Sequence, residues 1–464
     1  MISRKIFLAA LSLTAASVAR AEPPLAAKPD DSIFAKFQPL AAPPAGPLLL
    51  KTGDRLAICG DSITEQKMYS RMIETYLTVC VPDLAITTRQ YGWSGETAGG
   101  FLRRMQNDCL RFSPTIATTC YGMNDHKYKP FEEQIGKTYT AEQTGIVEAF
   151  EKTGARVVVG SPGCIGKMPN WVKTATGTVE DLNLSLCTLR NLDIAIAERE
   201  HAAFADIFWP MLTAGLRSWV KYGGDFAVSG KDGVHPNWAG HTLMAYAFLK
   251  SLGLNGDLGA VSVDWAGKSA AGTGGHEVLG FADGELRVKS TRYPFCAPPA
   301  DPSHDDNIRA GMALVPFNQD LNRFILQVKG APAEGCEVTW GAETHAYSAE
   351  ALAQGINLAA DFAANPFATA FKAVDDAVGA KQIYETKEIK EVFHRLLTNQ
   401  FHMADEIQDA ELKELFTVRD ADGKLDAEAI IQKVEARRAG LAEAVKTSFT
   451  PVEHVIRIAA KKGS

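Results

Sequence analysis

The stretch AICGDSITEQKMY, residues 57–69, decides how the chain is read. A short apolar run ends in Gly60-Asp61-Ser62, and a helix-like segment follows it. Ser62 stands three positions before Glu65, the Ser-x-x-Glu pattern of a capping box, so the first expectation for Ser62 is a helix cap. The same strand-to-helix junction then recurs along the chain. DLAITTRQYG (83–92), PTIATTCYG (114–122), ARVVVGSP (155–162) and AAFADIF (202–208) are short, β-rich and almost continuously apolar. Helical stretches such as 70–79 and 181–200 lie between them, and PNWAGHTLMAYAFLKSLGL (236–254) closes the series. Continuously apolar strands alternating with helices predict a parallel sheet covered on both faces. This α/β domain is assigned to residues 51–255.

Around it the composition changes. Residues 1–21 read as a secretory signal: Arg4 and Lys5, an apolar run from Ile6 to Val18, then the small-x-small site Ala19-Arg20-Ala21. Cleavage near Ala21 would leave an exported chain, periplasmic or extracellular, and the mature sequence has no apolar run long enough to span a bilayer. Residues 22–50, rich in Pro and Ala, read as an extended lead-in rather than a packed element. Residues 256–348 carry Gly-rich turns and alternating runs such as ELRVKS and CEVTWG, which predict antiparallel β structure. Residues 349–464 have a charged helical pattern. Within them DADGKLDAE, from Asp420, resembles a calcium loop, but Gly423 is fourth rather than sixth, and a solvated turn is the better reading.

At 464 residues the chain predicts two or three domains. A net charge of −7 argues against a nucleic-acid partner, which needs a basic face. Eight cysteines in an exported chain make disulfides plausible. Cys59 and Cys120 sit in strand-like runs and read as buried thiols; Cys80, Cys109, Cys164, Cys187, Cys296 and Cys336 are the disulfide candidates. No Cys or His spacing suits zinc, so neither metal nor cofactor is expected.

Ligands of an α/β sheet bind at the carboxyl ends of its strands. The first strand delivers Gly60-Asp61-Ser62 there, the second YGWSGET with Gly95, and the third YGMND with Asn124. KDGVHPN, with Asp232 and His235, precedes the last helix. These residue types suit acyl transfer. A serine hydroxyl needs a base, His235 is of the right kind, and Asp232 lies near enough in sequence to orient it. An oxyanion needs donors, and the Ser62 and Gly95 backbones and the Asn124 amide supply them. Trp93, His126 and Tyr128 lie nearby as pocket-lining candidates, ordinary packing being the alternative for each. His241 reads as a helix residue rather than a second base. Trp265, Tyr293, Phe295 and Trp340 in the β-rich segment suit either a carbohydrate surface or a core.

GDSIT, the glycine of SGET, GMND and DGVHP, in that order, resemble the four blocks of the SGNH, or GDSL-type, hydrolases. The resemblance covers under half of the chain. It implies a flavodoxin-like, doubly wound sheet and a Ser-His-Asp esterase. Ser62 then corresponds to the nucleophile and first oxyanion donor, Gly95 and Asn124 to the other donors, and Asp232 and His235 to the rest of the triad. The implied substrate is a small ester, most commonly an acetyl ester on a carbohydrate. A lipase, lysophospholipase or thioesterase is the alternative within the same chemistry; a binding protein that has lost catalysis is the alternative outside it.

Overall fold

Five strands form the sheet that carries the site: β1 (Arg55–Gly60), β2 (Thr87–Gln90), β3 (Ile116–Cys120), β4 (Arg156–Gly160) and β5 (Ala203–Ala205). Their order is β2-β1-β3-β4-β5, and every pairing is parallel. This computed structural model describes residues 24–398 and 406–461. The signal segment expected at 1–21 lies outside the described residues. The strand order is that of a flavodoxin-like, doubly wound α/β fold.

Alternation within the strands explains why both faces are covered. Val158 of β4 belongs to one apolar cluster and Val157 and Val159 to the other; Ile58 of β1 divides from Ala57 and Cys59 in the same way. Seven helices surround the sheet: α1 (Ser62–Glu65), α2 (Tyr69–Val79), α3 (Ala98–Asp108), α4 (Glu133–Glu151), α5 (Val179–Arg199), α6 (Phe208–Tyr222) and α7 (Trp238–Ser251). None of the described helices is long and apolar enough to cross a membrane.

The lead-in is packed, contrary to its composition. Phe34, Phe37 and Leu50 are buried, Phe34 meets Trp209 edge-on with centroids 5.5 Å apart, and Leu25 bridges Leu40. Phe34 and Phe37 both pack on Trp209 of the helix Phe208–Tyr222, and the Trp209 indole N–H donates to the Ala27 carbonyl at 3.1 Å. The six disulfide candidates also depart from expectation: all eight cysteines are free and buried, as expected only for Cys59 and Cys120. Several act as small polar-tipped hydrophobes, as where Cys164 Sγ meets Ser229 Oγ at 3.2 Å and Cys296 Sγ meets Asn365 Oδ1 at 3.3 Å.

Beyond the α/β part lie two further sheets. β6 (Asp257–Asp264), β7 (Ser269–Gly272), β10 (Arg323–Lys329) and β13 (Ile356–Asn357) form one, in the order β13-β10-β6-β7. β8 (His276–Ala282), β9 (Glu285–Ser290), β11 (Cys336–Trp340), β12 (Glu343–Tyr347) and β14 (Val452–Ala460) form the other, in the order β12-β11-β14-β9-β8. Two expectations are corrected here. The β-rich segment is not wholly antiparallel, because β6 and β10 pair in parallel. The segment read as helical also supplies strands: β14 fills the middle of the second sheet, antiparallel to both β9 and β11. Tyr293, Phe295 and Trp340 are core residues.

A directed chain of hydrogen bonds joins the two sheets. Trp340 Nε1–H donates to His454 Nδ1 at 3.1 Å, so the His454 hydrogen sits on Nε2 and is given to Ser290 Oγ at 2.9 Å. The Ser290 hydroxyl then donates to His276 Nδ1 at 2.8 Å, and His276 Nε2–H donates to the Leu258 carbonyl at 2.8 Å. Every donor meets an acceptor only while both imidazoles are neutral.

The helix Ala368–Lys387, its π-helical continuation Glu388–Phe393 and the helix Ala427–Ser448 return to the α/β domain and cover the edge strand β2. They supply what a neighbouring strand would have supplied. Lys381 Nζ and Arg438 Nη2 donate to the Thr88 carbonyl at 3.0 and 3.1 Å, and Gln90 N–H donates to Glu385 at 3.1 Å. Arg89 is held by Glu388 and Glu435, both at 2.7 Å.

Candidate active site

The loops after β1, β2 and β3 and the loop before α7 converge at the carboxyl edge of the parallel sheet, where such folds place their ligands. Ser62 begins α1. Its N-cap is Asp61, whose carboxyl accepts the Ile63 N–H at 2.9 Å, so the expected capping box is not formed. Capping by Asp61 leaves the Ser62 hydroxyl free, and it lies 2.7 Å from His235 Nε2. His235 Nδ1 lies 2.7 Å from Asp232 Oδ2. The other Asp232 oxygen accepts the backbone N–H groups of Val234 and His235, both at 2.9 Å. Burial works to raise the Asp232 carboxyl, but these two amides and the imidazole outweigh it and hold its pKa below the ordinary value. A charged Asp232 takes the hydrogen of Nδ1, leaving Nε2 to accept from Ser62.

The loop after β2 brings Gly92, Trp93, Ser94 and Gly95 against α1. A side chain at Gly92 would collide with the backbone of Thr64 and Glu65, so only glycine permits this approach. Gly95 has φ +74°, the left-handed region. The Ser94 N–H donates to Glu65, which also receives Lys390 Nζ from the π-helical turn at 2.8 and 3.0 Å. Glu65 is thus a clasp between loops rather than a capping partner.

Asn124 follows β3. Its amide donates to the Glu96 carbonyl at 2.9 Å and makes a longer contact with Asp61 at 3.4 Å. Its carbonyl oxygen accepts from Tyr128 Oη at 3.2 Å. Lys127 and Tyr128 both have φ near the left-handed region, at 55°, a strained conformation for residues with side chains and one that clusters at functional sites. Desolvation raises Asp61 to about 7 and Asp125 to about 6, in each case against backbone hydrogen bonds that favour the charged form.

The three pocket candidates fare differently. Tyr128 reaches Asn124. His126 has no exposed surface and lies beneath Tyr128, its pKa pushed down to about 4 by burial, so it packs instead of facing the cleft. Trp93 is enclosed by Arg104, Lys390 and His394. His241 is buried in α7, stacked on Tyr69, with Nε2 3.1 Å from Gln66 Oε1. One residue beside the site went unread in the sequence. Trp171, 49% exposed, has its ring centroid 5.7 Å from that of His235 and 5.7 Å from that of Tyr128. It lies in the long loop after β4, where no periodicity marks it; an aromatic in a loop leaving a strand's carboxyl end was the available signal. Among the described residues no group of His, Cys, Asp or Glu is placed to hold a metal ion.

Residues 58–243 match the GDSL-like lipase/acylhydrolase family. No curated protein matches the chain by sequence. Among solved structures, a gut microbial diltiazem-metabolizing enzyme is 20% identical, with a TM-score of 0.67, over 89% of this chain and 98% of its own. That likeness of fold runs past the α/β domain into the later sheets and helices. Axe2, an acetylxylan esterase from Geobacillus stearothermophilus, is 22% identical over 44% of this chain and 97% of its own, with a TM-score of 0.35. LAE5, an alpha/beta hydrolase enzyme from the metagenome of Lake Arreo, Spain, is 22% identical over 44% of this chain and 98% of its own, with a TM-score of 0.36. The α/β part is a GDSL-like hydrolase domain, and the chain is a hydrolase of ester bonds.

Proposed function

We propose that this hydrolase is an exported serine esterase that removes small acyl groups, acetyl above all, from a carbohydrate. The observation that carries the reading is the unbroken relay Ser62–His235–Asp232, with both side-chain links at 2.7 Å. Ser62 Oγ attacks the ester carbonyl while His235 Nε2 takes its proton; Asp232 steadies the imidazolium and its tautomer. The oxyanion is met by the backbone N–H groups of Ser62 and Gly95 and by the Asn124 amide, which exchanges its long 3.4 Å contact with Asp61 for the substrate. His235 then returns the proton to the departing alcohol, and water repeats the sequence on the acyl-enzyme. Trp171 supports the carbohydrate part of the reading, because an exposed indole beside the catalytic base offers a flat face to a sugar ring. The signal-like N-terminus supports export.

The test is acetate release from p-nitrophenyl acetate and from a panel of acetylated polysaccharides, by the mature protein and by Ser62→Ala. Release from both substrate types, lost in the variant, is the expected result. Release from the small ester alone overturns the carbohydrate assignment. Wild-type turnover by Ser62→Ala overturns the mechanism. The mass of the exported protein checks cleavage near Ala21.

A further inference from the structure

Gly95, one of the three proposed oxyanion donors, sits on a loop that the α/β domain does not hold alone. Residues 93–96 are gripped from three directions. From α3, Arg104 pairs with both Glu96 oxygens at 2.6 and 2.7 Å and stacks 4.9 Å from the Trp93 ring centroid. From α1, the Glu65 carboxylate accepts the Ser94 N–H. From the C-terminal region, Lys390 Nζ meets both Glu65 oxygens at 2.8 and 3.0 Å and lies 5.1 Å from the Trp93 ring, against which His394 packs at 4.8 Å. Lys390 stands in the π-helical turn Glu388–Phe393, the kind of interruption that recurs at functional sites.

We infer that Lys390 is a positioning residue for the oxyanion hole, acting through Glu65 on the amide next to Gly95; the inference rests on the esterase reading above. The chain of contacts is direct. Lys390 fixes the carboxylate, the carboxylate fixes the Ser94 N–H, and the next peptide carries Gly95. The loop's other end is tied to the second donor, because the Glu96 carbonyl accepts the Asn124 amide at 2.9 Å. Gly95 has no side chain to pack and sits at positive φ, so it depends on its neighbours to aim its N–H. Without Lys390 the Glu65 carboxylate can still accept the amide, but it is free to turn toward the Lys67 ammonium, which already donates to the Glu65 carbonyl. Small misplacements of a donor are felt mainly when charge develops, so the loss falls on the chemical step rather than on substrate binding.

The experiment compares the full-length wild type with Lys390→Met, Lys390→Arg, Glu65→Gln and the double variant Lys390→Met/Glu65→Gln, with Ser62→Ala alongside. The substrate is p-nitrophenyl acetate, and kcat and KM are read separately. Lys390→Met is expected to lower kcat about tenfold at unchanged KM, and Lys390→Arg to restore most of it. In the Glu65→Gln background Lys390→Met should have no further effect, because its route to the loop is already cut. Wild-type kcat in Lys390→Met, or a loss that adds fully to that of Glu65→Gln, overturns the inference while leaving the esterase intact. A loss that Lys390→Arg does not restore and that tracks a lowered Tm shows general destabilisation and also overturns it. A wild type without turnover removes the esterase reading, and the inference with it.

Discussion

Among the described residues two hydrogen-bond chains join a serine to histidine, and they differ in everything except those parts. At the sheet edge Ser62 meets His235, which meets Asp232; the imidazole is a quarter exposed and its far side faces a carboxylate held in the charged form. In the joint between the later sheets Ser290 lies between His276 and His454, with the indole of Trp340 at one end and a backbone carbonyl at the other. The first chain has an acceptor ready for a second proton charge on the ring. The second has none, and burial lowers His276 to about 4 and His454 to about 3. On the proposed esterase reading, Ser62 and His235 work as nucleophile and base because a charged carboxylate backs the ring, a group the Ser290 joint lacks.

That contrast can be broken at several points. Ser62→Ala should cut ester turnover by about 10⁴–10⁶-fold with little change in Tm, whereas Ser290→Ala should leave turnover near wild type. Reversal of either result would dissolve the distinction. Asp232→Asn should cost about 10²–10⁴-fold in kcat, since an amide leaves the ring without its charged partner and favours the wrong tautomer; steady-state rates on p-nitrophenyl acetate test this.

Acid separates the two chains by stability. The unfolded chain protonates histidine near pH 6.5, while His276 and His454 in the folded protein resist it down to about 4 and about 3. Stability is therefore full above about pH 6.5 and falls as the pH drops below it, by roughly 1.4 kcal/mol per histidine per pH unit. Urea unfolding at pH 7.5 and pH 5 should show a steep loss, made shallower by His454→Gln. Ser290→Ala, at neutral pH, should cost about 1–3 kcal/mol because it leaves two buried ring nitrogens without partners. The smallest effect belongs to Trp171→Ala: a several-fold rise in KM for acetylated oligosaccharides and almost none for p-nitrophenyl acetate, since only the former has a ring to stack.

The two chains were also unequally visible in the sequence. The parallel sheet could be read because β1, β3 and β4 are buried on both faces and mostly apolar, and a run such as RVVVG has few other uses. Ser62, His235 and Asp232, which the structure brings together, could be picked out because Ser62 follows such a run and the other two stand in the short loop before the last helix of the series. The His276–Ser290–His454 joint could not, since its members come from strands whose partners are far away in sequence. Yet the alternation of buried His454, Ile456 and Ile458 in VEHVIRIAA was a strand signal that the surrounding helical pattern overrode. Glu65 shows the opposite failure. Its spacing from Ser62 matched a local cap, but Asp61 already filled that position, and the carboxylate was left for Ser94 and Lys390.

β14 sets a schedule for biosynthesis. The five parallel strands and their helices leave the ribosome before the later sheets. The second large sheet cannot close then, because its middle strand, Val452–Ala460, follows β12, Glu343–Tyr347, only after a long helical stretch. Until β14 emerges, β9 and β11 are raw edges open to any passing strand. A message cut short just before Val452 would thus yield a chain with a well-formed Ser62–His235 pair and a strong tendency to clump. Quality control on this protein amounts to a reading of the nine-residue β14.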